Sequence, residues 1–296
     1  MCQDRVKSGP RRLRSRPGSR YGGAMKRLAA LVACLLPLAG PAAAQAVRAT
    51  YEVHAAGMVV MEIEARFDLS TEDYRVETRV RTRGVAALFA SGEQTTRVSG
   101  GWSGATPLPA NYVSEGVWRG RARRTALDWQ GGAVRVVALV PPNEEEREPV
   151  SDELRRGTVD ALSALAGLSR QVGADQGCAL SAPVFDGRQR SDFTAANGRR
   201  EVILPWRDAW RGEALRCDVE GVQVAGFRFD GQWRENATPR RAVAWIAPPY
   251  PGAPPLPVRV DMPSRWFGTA TAVLLRADPV DRLQARPAER RVDLAR

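Results

Sequence analysis

The sequence predicts a mainly β protein: a large antiparallel meander curled into an open barrel, half-barrel or spiral, with one inserted helix. Three observations carry this. Two adjacent segments, "MEIEARFDL" and "YRVETRVRT", alternate apolar and charged residues with period two. Further short runs of the same kind recur at close intervals, separated by local turn residues. Only one segment has helical spacing of apolar residues.

The first two runs set the pattern. Met61, Ile63, Ala65, Phe67 and Leu69 alternate with Glu62, Glu64, Arg66 and Asp68; Tyr74, Val76, Thr78, Val80 and Thr82 alternate with Arg75, Glu77, Arg79 and Arg81. Folding them about the polar loop 70–73 places Leu69 opposite Tyr74. The other face then pairs Asp68 with Arg75, Arg66 with Glu77, Glu64 with Arg79 and Glu62 with Arg81, all of opposite charge. Each pair contributes only about 0.2–1 kcal/mol, but a one-residue slip exposes both apolar rows, so the register is strongly specified. One face is expected to be buried and the other wet.

Further strands are expected over 49–54, 93–100, 112–118, 123–129, 134–140, 188–194, 200–204, 214–219, 222–229, 242–247, 256–262 and 269–275. Turns are expected at Ala56-Gly57, Gln130-Gly131-Gly132, Asn197-Gly198 and Glu220-Gly221. The tripeptide Phe-Asp-Gly occurs twice, at Phe185 and Phe229. Each follows apolar residues and precedes polar ones, so Asp186-Gly187 and Asp230-Gly231 read as turns rather than as catalytic carboxylates. The helix is expected near 158–169, capped by Thr158, with Asp160 in its first turn and Val159, Leu162, Leu165 and Leu168 on one side. Asp152 and Glu153 read as an earlier turn ended by Gly157. Glu144, Glu145 and Glu146 lack the spacing of a calcium loop and read as a solvated turn.

The ends indicate export. From Met25, "MKRLAALVACLLPLAGPAAAQA" has a Lys26-Arg27 start, an apolar stretch too short to span a bilayer and a small-residue end. Residues 25–46 are therefore read as a signal peptide, cleaved after Ala44 or Ala46, and 1–24 as an extension from a start placed too early. A single β domain over 47–275 and a loose tail over 276–296 complete the expected organisation, with a periplasmic location. Of 44 Lys+Arg and 33 Asp+Glu, residues 1–46 hold nine and one, leaving 35 against 32, a net of +3. The basic pI thus belongs mostly to the leader, and no nucleic-acid partner is expected. After the leader two cysteines remain, Cys178 and Cys217, which in an exported chain are expected to pair.

Few chemistries have the groups they need. His54, the single histidine, lies in an alternating strand near Glu52 and Tyr51, and no nucleophile elbow is present. Zinc and haem sites lack ligands once the cysteines pair, and no nucleotide-binding loop is present, so no metal and no cofactor are expected. A carboxylate pair of the glycosidase kind stays open. Eight tryptophans remain as core or as an apolar surface. The segments "PWRDAWRG", with Trp206, Arg207 and Trp210, and "PSRWFG", with Trp266 and Phe267, read as exposed amphipathic elements suited to a lipid or a protein partner.

The order "YEVHAAGMVVMEIEARF", "RTRGVAALFASGEQ", "REPVSDELRRGTVDALSAL" and a Cys followed by "FDGRQRSDF" resembles a bacterial family known as domain of unknown function 3108. The resemblance spans about residues 51–275, with 157–165 and 185–193 its most specific parts. It implies exported, mostly β proteins of Gram-negative envelopes with no established activity or ligand, and no catalytic residue is carried over. Ser191 departs from the pattern, standing where an aromatic residue is expected. The functional expectation is a non-enzymatic periplasmic protein that binds an envelope component, a lipid or a protein; the alternatives are a glycan hydrolase and a purely structural envelope protein.

Overall fold

Thirteen strands form one antiparallel meander in the computed structural model, which describes residues 46–89, 91–229, 237–264 and 268–283. The strands are β1 (Ala46–Ala55), β2 (Met58–Leu69), β3 (Asp73–Thr82), β4 (Gly92–Ser103), β5 (Thr106–Trp118), β6 (Arg121–Gln130), β7 (Ala133–Val140), β8 (Leu180–Phe185), β9 (Arg190–Ile203), β10 (Gly212–Ala225), β11 (Arg240–Ala247), β12 (Leu256–Ser264) and β13 (Gly268–Val280). Sheet order is β7-β6-β5-β4-β3-β2-β1-β13-β12-β11-β10-β9-β8, so the chain's first and last strands meet in the middle and the sheet stays open between β7 and β8. Among the described residues three α-helices are inserted: α1 (Ala86–Phe89), α2 (Asp152–Arg155) and α3 (Ala161–Gly173).

The β2–β3 register is the one the charge pattern demands, from Leu69 opposite Tyr74 to Glu62 opposite Arg81. The apolar parity then propagates. Phe67, Val76, Val98, Tyr112 and Leu127 form one row across five strands, and the next row runs Ala49, Ala65, Thr78, Thr96, Ser114 and Thr125. On the opposite face an ion-pair chain, Glu77–Arg97–Glu115–Arg124, crosses β3 to β6 at 3.2 Å per contact. Asp68 is the exception: it is buried, bonded to Arg282 at 3.0 Å and to the Leu283 amide. The sheet thus runs five residues beyond 275 to Val280, where a loose tail is expected from 276, because β13 pairs β1 as far as Ala46–Val280. Residues 1–45 and 284–296 lie outside the described residues.

Helix α3 packs on the apolar face at the end where β2 turns into β3. Leu162, Leu165 and Ala166 join the cluster of Val47, Phe67, Tyr74, Val76, Val98 and Leu274; Leu168 packs against Ile246 and the cysteines. Burying a leucine of this kind contributes about 1.5–3 kcal/mol. The cap is not Thr158 but Asp160, whose carboxylate accepts from Leu162 N at 3.0 Å and Ser163 N at 2.9 Å. Thr158 turns its hydroxyl back to Arg155 O at 2.7 Å and is spent there. The helix therefore starts at Ala161, three residues late.

Two expected turns are absent. Asn197-Gly198 lies within β9 and Glu220-Gly221 within β10, two 14-residue strands that pair with each other. Their glycines serve close approach instead. A Cβ on Gly221 would sit 2.6 Å from the Phe193 ring, and one on Gly198 2.7 Å from Arg216 O. Strand β8, not among the expected strands, contains Pro183 and is an edge strand, where proline is tolerated. The disulfide joins Cys178 to Cys217 with Cα atoms 5.7 Å apart, fastening the loop after α3 to β10.

Candidate functional site

The most specific sequence segments come together along the seam between the sheet's two edges. Val159 forms a parallel bridge with Val184; its N–H donates to Pro183 O and its carbonyl accepts from Phe185 N, each at 2.9 Å. The Asp186 carboxylate accepts from the amides of Arg188 and Gln189 at 2.8 Å, closing a turn in which Gly187 has φ +93°. Burial raises its pKa above the usual carboxylate range, against the pull of those amides. From this turn Arg188 reaches Val140 O and Pro141 O at 2.9 Å, tying β8–β9 to the end of β7. Glu146, expected as part of a solvated turn, instead bonds Arg123 at 2.6 Å, which holds its carboxyl below the usual range. The seam has chemistry enough to lock the fold, and Asp186 and Glu146 are both committed to it. The second Phe-Asp-Gly turn, Asp230-Gly231, lies outside the described residues.

Asp160 is similarly occupied. It is wholly buried, and burial raises its pKa; Ser163 Oγ donates to it, and Tyr74 OH donates in turn to Ser163 Oγ at 2.7 Å. This relay anchors α3 to β3. Farther along the same face the wall turns hydroxylic: Thr96 Oγ1 lies 2.8 Å from Ser114 Oγ, and Gln94 Nε2 donates to the same oxygen at 2.5 Å.

The expected surface residues separate. Trp206 is exposed, packed edge-on against His54 at 4.6 Å, with Arg207 over its ring at 5.3 Å. Trp210 turns into the core: its backbone N–H donates to Leu274 O at 2.7 Å, beside the point where β12–β13 pairing ends at Arg259–Val273, and its indole donates to Pro249 O at 3.1 Å. Trp266 and Phe267 lie outside the described residues. His54 Nε2 lies 3.1 Å from Glu52, and no nucleophile accompanies it among its recorded contacts.

A recess lies across β9–β13, where sequence reasoning placed nothing. A groove of about 780 Å³ is lined by Ala196, Asp218, Val243 and Asp261 in one register row, with Arg216, Glu220, Arg241 and Met262 around it. Its charges are locally paired: Arg216–Asp218 at 2.8 Å, Arg259–Asp261 at 2.9 Å and Arg241–Glu220 at 3.0 Å. Two of these pairs join an arginine to the acid two residues on, side by side on one strand face, and Arg190–Asp192 and Arg276–Asp278 repeat the device. That spacing was the available signal. Among the described residues no three His, Cys, Asp or Glu side chains converge to hold a metal ion, and no helix is long and apolar enough to cross a membrane.

A family model, a protein family of unknown function designated DUF3108, matches residues 48–275. The chain belongs to this family. Among solved structures it is similar to a β-barrel-like protein of the domain of unknown function DUF1849 from Brucella abortus, at 15% identity and a TM-score of 0.50, covering 80% of this chain and 99% of that one. That likeness concerns the fold alone. No curated protein matches the chain.

Proposed function

We propose that this family member is a non-catalytic protein of the bacterial periplasm that binds an extended segment of an envelope protein along the β9–β13 groove. The observation that carries the reading is the lining of that groove. Apolar Ala196, Val243 and Met262 alternate with paired charges of both signs, a surface that suits a polypeptide better than an acyl chain. A lipid on the apolar face is the less favoured occupant, because α3 packs on that face and hydroxyls line the row beyond it. The hydrolase reading is disfavoured by the engagement of Asp160 and Asp186 in a cap and a turn, and of Asp218 and Asp261 in arginine pairs.

Native mass spectrometry of protein purified from its own periplasm tests this. A retained polypeptide that is lost on Val243→Arg supports the reading. A lipid retained equally by both proteins, or a bare monomer that ignores envelope extracts, overturns it.

A further inference from the structure

Three of the connections at the end of the sheet away from α3 are the β1–β2 turn, the β3–β4 connection and the β5–β6 turn. Their sequences, "AGMVV" from Ala56, "RGVAALFASG" from Arg83 and "GVWRGRARRT" from Gly116, hold five arginines and no acid. The structure gathers them. Arg83 N donates to Val60 O at 2.8 Å, and Arg119 N to Ser91 O at 2.9 Å, so each connection is fastened to its neighbour. Apolar side chains stand out from the same rim: Leu88 is 82% exposed, and Met58, Val85 and Val117 are exposed beside it.

The arginines differ in their commitments. Arg83 pairs with Glu62, Arg123 with Glu146 and Arg124 with Glu115. Arg119 and Arg121 are exposed and make no ion pair among the described residues. The opposite end has the reverse character: Ser70, Asp73, Arg170 and Arg282 close it with mutual bonds.

We propose that this rim docks the protein onto a membrane surface carrying anionic headgroups. Leu88 and Val85 enter the interfacial zone while Arg119 and Arg121 meet lipid phosphates. Apolar knobs beside uncompensated guanidinium groups, without an acid in any of the three tips, form the combination that binds such an interface. A protein partner of ordinary charge balance would not require the acid-free tips.

Vesicle sedimentation tests the proposal, with protein recovered from the periplasm of a Gram-negative host. The expected result is binding to phosphatidylcholine–phosphatidylglycerol vesicles at about a three-to-one ratio, weak binding to phosphatidylcholine alone, and loss with added salt. Arg119→Glu/Arg121→Glu should weaken binding by roughly tenfold or more. Leu88→Asp should weaken it severalfold, and Arg135→Glu, an exposed arginine at the opposite end of the sheet, should leave it unchanged. Circular dichroism of each variant checks the fold. Absence of binding to the anionic vesicles, or equal binding by wild type and rim variants, overturns the proposal. Self-association that Leu88→Asp abolishes, without vesicle binding, assigns the rim to a second copy and also overturns it. Failure here leaves the groove reading standing, since that rests on Val243.

Discussion

Replacing Asp160 by alanine should be among the most destabilising single changes in the chain. The carboxylate satisfies two backbone amides at the start of α3, and truncating such a cap costs about 0.5–2 kcal/mol. It also accepts from Ser163 Oγ, which is wholly buried, and leaving that hydroxyl to the Tyr74 bond alone adds about 1–3 kcal/mol. The sum is about 3 kcal/mol, or roughly 6–12 °C in Tm for a domain of this size. Asp160→Asn keeps an acceptor for the amides and should recover most of the loss. Burial raises the folded-state pKa of Asp160, so its contribution is full below the unfolded value of about 3.9 and is lost as pH rises through the folded value. The asparagine variant should therefore gain on the wild type as pH increases from about 4 towards neutrality. Urea unfolding across that range, with the disulfide intact, measures both effects. A loss smaller than that of Thr158→Ala would refute the assignment of the cap, since Thr158 makes only its bond to Arg155 O.

Three further outcomes follow from the same geometry. Removing the Cys178–Cys217 bridge, which spans 39 residues, should cost roughly 4 kcal/mol, read as a lower urea midpoint for the double serine variant; an unchanged midpoint would count against it. Gly221→Ala should cost about 1–3 kcal/mol by forcing a Cβ to within 2.6 Å of the Phe193 ring, and Phe193→Leu in the same chain should return part of that. Because the Arg123 bond lowers the folded pKa of Glu146, its contribution is present above the unfolded value of about 4.3 and is lost as pH falls through the folded value. Glu146→Gln should accordingly lower stability at neutral pH and flatten the acid limb of the thermal stability profile.

The sheet was legible because its determinants are local. Opposite charges facing across β2 and β3 admit one register. Legibility failed where one residue type serves two purposes. Thr158 and Asp160 both suit a cap, and only the fold shows that Thr158's hydroxyl points backwards. Asn197-Gly198 and Glu220-Gly221 have turn chemistry, but the glycines make room for Arg216 and Phe193 across paired strands. The groove was legible only in its Arg-x-Asp spacings, for a different reason. Ala196, Asp218, Val243 and Asp261 are neighbours only through register across four strands, and no linear spacing joins them. Trp210 looked like a surface residue beside Trp206, yet the ending of β12–β13 pairing leaves Leu274 O for its backbone and draws it inward.

The occupant of the sheet is most directly tested by photo-crosslinking in the living cell, with a photoreactive amino acid at Val243 in the groove or at Thr96 on the apolar face. The account predicts one discrete envelope-protein adduct from position 243, suppressed by Asp261→Arg, and only intramolecular products from position 96. Capture of an acyl chain at 96 with no adduct at 243 would contradict it.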